Sequence, residues 1–375
     1  AYSLASNTTA GNNTAVGYYT LYANTTGTNN TAVGRNALDA NTTANNNSAV
    51  GYQALTANTT GTKNTALGAN ALAANTTGNY NTAIGEAALI ANTTADHNVA
   101  VGYGAMYSNT TGTRNHAFGN NALYANTTGS QLAAIGYNAL RFNTTGIDNT
   151  AVGNHALEAN TTGISNVGIG ASALTSVTTG QSNTAVGREA LRNNTASENT
   201  AVGMQAMRNN TTGASNVALG VAALNVATTG NNNTAVGYHA LVAQTTGSNA
   251  TAVGWKCLDA NTTGNNTAVG SAALGAVTTA NNNTAMGISA LLVNTADNNT
   301  AIGHQALTAN TTGTQNTAVG AFALDANTTD SYNSAVGYQA LSANTTGEKN
   351  TAVGSFALRD STTSDNNTAL GSSAL

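Results

Sequence analysis

One glycine recurs along this chain at near-fixed intervals, and no other feature constrains the fold as strongly. It stands at Gly17, Gly34, Gly51 and onward to Gly371, 22 times in all, with eighteen intervals of 17 residues and three of 16. Self-similarity at a fixed period is the mark of stacked units. The unit reads N-T-A-V-G-x-x-A-L-x-A-N-T-T-G-x-x. The three shortened units each lose a residue in the same stretch, at 194–199, 261–266 and 294–299. Surface loops tolerate length change and packed strands do not, so that stretch is read as the turn.

Comparing the copies column by column separates constrained positions from free ones. Two residues before the glycine, 21 of 22 copies have Ala and the other has Gly168. One before it, the residue is always apolar: mostly Val, with variants such as Leu67, Ile84, Phe118 and Met286. Three after, it is Ala except at Thr20 and Cys257, and four after it is Leu except at Met106 and Met207. Eight after, it is always Thr. Positions one, two and five after the glycine accept almost anything, including Tyr18, Arg35, Glu86, Trp255 and His304. The fixed columns are expected in the interior or in turns, and the free columns in solvent.

A 17-residue unit is too short for a helix pair, which needs about 33 residues per repeat. No heptad pattern is sustained, so a coiled coil is excluded. The T-A-V-G segment alternates as a strand does, with Thr and Val on one face and Ala and Gly on the other. N-T-T-G follows as a corner, where Gly can take positive φ and Asn can bond local backbone. The A-L-x-A cluster is either a second strand or a 3₁₀ turn. The expected fold is therefore all-β: one β-solenoid (β-roll) over residues 1–375, of about 22 rungs with a 17-residue repeat. Stacked at about 4.8 Å per rung, it would make a rod on the order of 100 Å long. With such a thin core, the Asn four before the glycine (Asn13, Asn30, Asn47, Asn64) is expected to form an amide ladder, skipped at Leu132 and Ala250. A ladder with no free edge also explains why the chain has no proline.

The N-T-A-V-G-x-x-A-L units, as at Asn30-Thr31-Ala32-Val33-Gly34 and Asn333-Ser334-Ala335-Val336-Gly337, resemble the head repeats of trimeric autotransporter adhesins. They are still more similar to the repeat arrays of phage-type tail-fibre and large bacterial surface proteins. The likeness runs the whole length of the chain. It implies an extracellular location and a fibre or adhesive shaft, with copies of the chain itself as partners. Both ends fall in mid-unit, so open ends are expected either to continue a longer array or to stack head to tail.

Composition excludes several other functions. Only 6% of residues are charged, and ten Lys and Arg in 375 residues cannot furnish a long polyanion surface, so no nucleic-acid partner is expected. No apolar run approaches the roughly 18 residues of a membrane span. The five histidines, at 97, 116, 155, 239 and 304, fall in four different columns; no metal site, nucleophile–base pair or cofactor is expected, and the chain is read as no enzyme. The lone Cys257 replaces a core alanine and is read as a small buried hydrophobe.

Two features suggest a binding module instead. Tyr18, Tyr52, Tyr103, Tyr137, Tyr238, Trp255 and Tyr338 share the first free column and form a candidate recognition row for a host-surface glycan or protein. The corner N-T-T is a formal glycosylation sequon, so in a secreted eukaryotic chain Asn24, Asn58, Asn75, Asn126, Asn310 and Asn344 become candidate glycan acceptors. The unbroken Thr column also invites comparison with ice-binding solenoids. Adjacent Thr25 and Thr26 should point to opposite sides, however, which leaves one outward row and not a flat pair.

Overall fold

The computed structural model describes residues 2–375. Among these the protein is all-β: each repeat contributes one three-residue strand, 22 in total, and there is no helix. Contacts divide the chain into two compact units, Ala1–Glu189 and Ala190–Leu375. The first holds eleven strands, from β1 (Thr14–Val16) to β11 (Thr184–Val186); the second holds eleven, from β12 (Thr200–Val202) to β22 (Thr368–Leu370). Within each unit every strand pairs in parallel with the strand one repeat away, residue type on residue type. Thr14, Ala15 and Val16 lie beside Thr31, Ala32 and Val33; Thr234, Ala235 and Val236 lie beside Thr251, Ala252 and Val253. Each unit is a β-solenoid whose rung is one sequence repeat.

The A-L-x-A segment is neither a second strand nor a 3₁₀ turn. It and the residue before it run as linked turns in which Asn36 (φ 59°) and Leu38 (φ 52°) adopt the left-handed region. For a non-glycine residue this costs about 1–2 kcal/mol. The conformation is held from outside the segment, because its N–H groups still reach neighbouring rungs. Asn36 donates to Tyr18 O at 2.9 Å, Leu38 to Ala54 O at 3.0 Å and Ala40 to Thr56 O at 3.0 Å. The Leu38 side chain, fully buried, fixes the turn from within.

The motif glycine is required twice over. At Gly136 φ is +136°, and a Cβ there would lie 2.5 Å from Gly153 O on the next rung. The corner glycine departs from expectation: Gly61 is not among the positive-φ residues. Its surroundings are tight, since a Cβ built on this backbone would sit 2.4 Å from Gly78 O and 2.5 Å from Asn58 Oδ1, yet other rungs accommodate Ala44, Ala95 and Ala280 in the same column by local adjustment.

The interior takes three apolar side chains per rung, as at Ala32, Ala37 and Leu38, together with two asparagines, as at Asn30 and Asn41, all fully buried. The amide ladder is partial in the expected column and more regular in the other asparagine column. The Asn four before the glycine bonds chiefly backbone: Asn30 Nδ2 donates to Ala44 O at 2.8 Å, and Asn30 Oδ1 accepts the Asn47 N–H at 3.0 Å. Amide–amide steps join Asn183 to Asn166 at 3.0 Å, Asn216 to Asn199 at 3.2 Å, Asn283 to Asn266 at 3.1 Å and Asn367 to Asn350 at 3.1 Å. The corner Asn bonds its own kind. Asn41 Nδ2 donates to Asn24 Oδ1 at 2.8 Å, and Asn58 Nδ2 to Asn41 Oδ1 at 3.0 Å. The fixed Thr has a similar cause, because Thr25 Oγ1 donates to Thr42 O at 3.1 Å and Thr59 Oγ1 to Thr76 O at 3.1 Å.

Candidate functional site

The strand's two-residue period points Ala inward and sends Thr and Val outward together. A fixed column was expected to be interior, and for the Val column this is corrected. Val16 is 59% exposed, Leu67 48%, Met286 49% and Phe118, on β7 (His116–Phe118), 42%. The outward face of the strands therefore carries an apolar ladder beside a largely Thr ladder. In the 44 positions of these two columns there is no Lys, Arg, Asp or Glu. Burial inside the rung cannot explain this selection, because the side chains are not inside it.

The aromatic row is where the sequence places it, on the surface: Tyr18, Tyr52, Tyr103, Tyr137, Tyr238, Trp255 and Tyr338 are all 45–55% exposed. The structure breaks it into short groups. Arg35 lies over the Tyr52 ring at 5.9 Å. Tyr137 meets His155 edge-on at 5.4 Å, Tyr238 stacks on His239 at 4.0 Å and Tyr338 meets Phe356 at 5.3 Å. Lys256 covers Trp255 at 5.0 Å. Most of these aromatics rest on a neighbour from the adjoining free column.

The candidate glycan acceptors are corrected by their burial. Asn24, Asn58, Asn75, Asn126, Asn310 and Asn344 are fully enclosed. The Nδ2 atom that a glycan would occupy is the ladder donor: Asn75 donates to Asn58 Oδ1 at 2.9 Å and to Gly78 O at 3.0 Å. Asn126, Asn310 and Asn344 repeat the pattern. A sugar on that nitrogen would remove the bond and would have no exit from the interior.

Cys257 is fully buried and burial pushes its thiol up to about 12, consistent with a core role. Asp39 and Asp325 are raised by desolvation; at Asp325 this is partly opposed by backbone N–H bonds, and its Oδ1 has no partner. His155 Nδ1 lies 2.8 Å from Glu158 Oε2, with Arg141 at 3.9 Å from the same carboxylate. Among the described residues no three of His, Cys, Asp and Glu gather as metal ligands.

Sequence reasoning missed one grouping. Tyr80, His97, Val99, Arg114 and His116 line a single surface depression. The signal was available: 63, 80, 97 and 114 are spaced by the 17-residue period, so Lys63, Tyr80, His97 and Arg114 share one column. No protein-family model matches this chain, and no curated protein matches its sequence.

Proposed function

We propose that this is a non-enzymatic structural protein of an extracellular fibre, filament or adhesin shaft, whose chains associate side by side through the outward Thr/Val strand face. The observation that carries this reading is the Val column, apolar in every copy although it faces away from the core. Free outward columns of the same rungs hold Arg35, Glu86 and Lys256, so exposure by itself does not keep a column apolar in this chain. A surface burying that face is the physical condition under which such a column is favoured.

A second copy of the chain is the partner that fits best. It has the same rung spacing and the same uncharged columns, so each rung meets an equivalent rung. Fully burying a Val or Leu corresponds to about 60–120 Å², so a half-exposed one still offers ~40 Å². Over the eleven rungs of one unit, the Thr and Val columns together offer ~900 Å², against about 800 Å² per partner in a standard specific interface. The extracellular setting rests on the repeat's resemblance to tail-fibre and surface-protein arrays.

The test introduces charge into the face of one unit, with Val202→Asp, Val236→Asp and Val253→Asp combined. Sedimentation and electron microscopy of wild type should give laterally associated species, and the triple variant single chains with an unchanged circular dichroism spectrum. A wild-type chain that sediments as a monomer at high concentration refutes the reading. Glycan binding through the aromatic row is the second reading, supported by the exposure of all seven rings. Array binding lost on Tyr238→Ser with Trp255→Ser would favour it.

A further inference from the structure

The depression lined by Tyr80, His97, Val99, Arg114 and His116 lies where four consecutive rungs place Lys63, Tyr80, His97 and Arg114 in one free column. The column concerned is left-handed in every one of these rungs, with φ of 57° at Lys63, 56° at Tyr80, 60° at His97 and 57° at Arg114. Asn is the side chain best suited to that backbone, and Asn12, Asn29, Asn46, Asn232, Asn249, Asn282, Asn298 and Asn366 occupy it on other rungs, while Gln131, Asp148, Ser165, Ser182, Glu198, Ser215, Gln315, Tyr332 and Lys349 occupy it on further ones. Lys, Tyr, His and Arg in succession gain nothing from the backbone. In a chain with ten Lys and Arg and five His, this short stretch and the adjoining strand hold two of the former and, counting His116, two of the latter.

The side chains are organised among themselves. Lys63 Nζ lies 3.0 Å from Tyr80 Oη and 4.8 Å from the Tyr80 ring centre. Tyr80 and His97 stack with centroids 4.9 Å apart and planes 8° from parallel. Neither Lys63 nor Arg114 is paired with a carboxylate among the described residues. Asp96, adjacent in sequence to His97, turns its Oδ1 to the Asn79 N–H at 2.5 Å. What reaches solvent is a strip of hydrogen-bond donors, one per rung, with a fixed positive charge at each end. At about 4.8 Å per rung, the two charges are separated by ~14 Å along the strip.

We infer that this strip binds a linear acidic polysaccharide, its carboxylate or sulfate groups accepting charge-assisted hydrogen bonds from Lys63, Arg114 and the two histidines. Such bonds are about twice as strong as neutral ones. The arrangement of the rings favours a saccharide over a nucleic acid. Single-stranded nucleic acids are held by a cationic groove with bases stacking on free aromatic faces; here His97 takes one face of Tyr80, Lys63 holds its hydroxyl, and only two fixed cations stand along the strip. The donors are left at the edges, where the anionic groups and hydroxyls of a sugar chain can meet them. This site does not rest on the fibre reading, since all five residues belong to the first unit and the valines altered in the assembly test to the second.

Calorimetric titration of the full chain with a heparin oligosaccharide, an oligogalacturonate and neutral dextran tests the inference and separates sulfate from carboxylate recognition. At least one acidic saccharide should bind and dextran should not. Lys63→Asn with Arg114→Asn restores the side chain used on other rungs, so the fold is expected to persist, and affinity should fall tenfold or more. His97→Asn gives a second, milder loss. Lys349→Asn, in the same column but outside the strip, should leave binding unchanged. The inference is overturned if neither acidic saccharide binds, if the double variant binds as well as wild type, or if dextran binds equally. Tighter binding of a single-stranded oligonucleotide would overturn it in favour of a nucleic-acid site.

Discussion

The corner ladder makes a quantitative prediction at the place where it is broken. At Ala227 the column has no amide, and both neighbours register the loss: Asn210 Oδ1 and Gln244 Nε2 are buried without a hydrogen-bond partner. Ala227→Asn should supply both. By the geometry of intact rungs, its Nδ2 would donate to Asn210 Oδ1 and to Gly230 O, as Asn41 Nδ2 does to Asn24 Oδ1 at 2.8 Å and to Ala44 O at 3.2 Å. Its Oδ1 would accept from Gln244. A buried polar group left unsatisfied costs roughly 1–3 kcal/mol, so relieving two offers about 2–6 kcal/mol. Against this stand the desolvation and immobilisation of the new amide, leaving a net gain of about 2 kcal/mol. Solenoids open locally, so one melting temperature is a poor readout and native-state hydrogen exchange is the right one. The Thr211 and Thr228 amides, bonded to Thr228 O and Thr245 O at 2.9 Å each, should exchange about 30-fold more slowly, since each 1.4 kcal/mol is a factor of ten. Val177 and Val277 show that Val fits this column fully buried, which makes Ala227→Val the control for volume without an amide. Exchange no slower than wild type in Ala227→Asn, or equal protection in Ala227→Val, would refute the ladder as a source of stability.

Two glycine substitutions should act in opposite directions. Gly136→Ala places a Cβ 2.5 Å from Gly153 O at φ +136° and should destabilise its rungs by about 3 kcal/mol or more, read as lost exchange protection. Gly168→Ala restores the residue every other copy has; its Cβ meets the Leu157 side chain at 3.2 Å and Ala173 O at 3.4 Å, and a gain of about 0.5–1 kcal/mol is expected. Cys257, with its thiol pushed up to about 12, should react with a thiol reagent at pH 8 about a thousandfold more slowly in the native chain than in urea, because only the thiolate attacks. Asp325 is raised above the ordinary carboxylate value by burial, so the folded state holds its proton more tightly than the unfolded chain does. Its contribution to stability therefore falls as pH rises from the ordinary carboxylate value to the raised one, and stays at that lower level above both. Asp325→Asn should remove that dependence and stabilise the rung modestly at pH 7, whereas a variant less stable at pH 7 would contradict the assignment.

Much of the rung was legible because intrachain comparison acts as an internal mutagenesis record. The period gave the stack, T-A-V gave the strand, and the confinement of deletions to one segment gave the turn. What stayed illegible has a common cause: an invariant column reports that a side chain is constrained, without reporting by what. The Thr eight after the glycine is fixed by a hydroxyl-to-carbonyl bond on the next rung, and the motif Gly by a carbonyl approaching from the next rung, neither of which local propensity encodes. The left-handed turns at Leu38 and its equivalents were hidden for the same reason, since a Leu has no intrinsic reason to be there and is held by contacts a rung away. The two asparagine columns looked alike in sequence. Both reach a corner carbonyl, three residues on for Asn41 and fourteen for Asn30, and only the fold shows that Asn41 also stacks regularly on the amide of the preceding rung.

The same reasoning separates the features that build the rung from those that act beyond it. Ala32, Leu38, Asn30, Asn41, Thr25 and Gly34 are each accounted for by a contact inside the stack, so their constancy carries no information about function. Val33 and its equivalents stay apolar although they face away from the core, and the free column at Lys63, Tyr80, His97 and Arg114 gathers cationic and aromatic groups on four successive rungs. An apolar outward column and a local cluster of donors both point outward, the first to a partner repeating along the whole array and the second to a ligand at one place on it. A second copy of the chain meets the first requirement because it shares the period. An acidic saccharide meets the second because the strip spans only four rungs of one unit. The two can be separated experimentally, since charge placed at Val202, Val236 and Val253 should abolish association while leaving the saccharide titration unchanged.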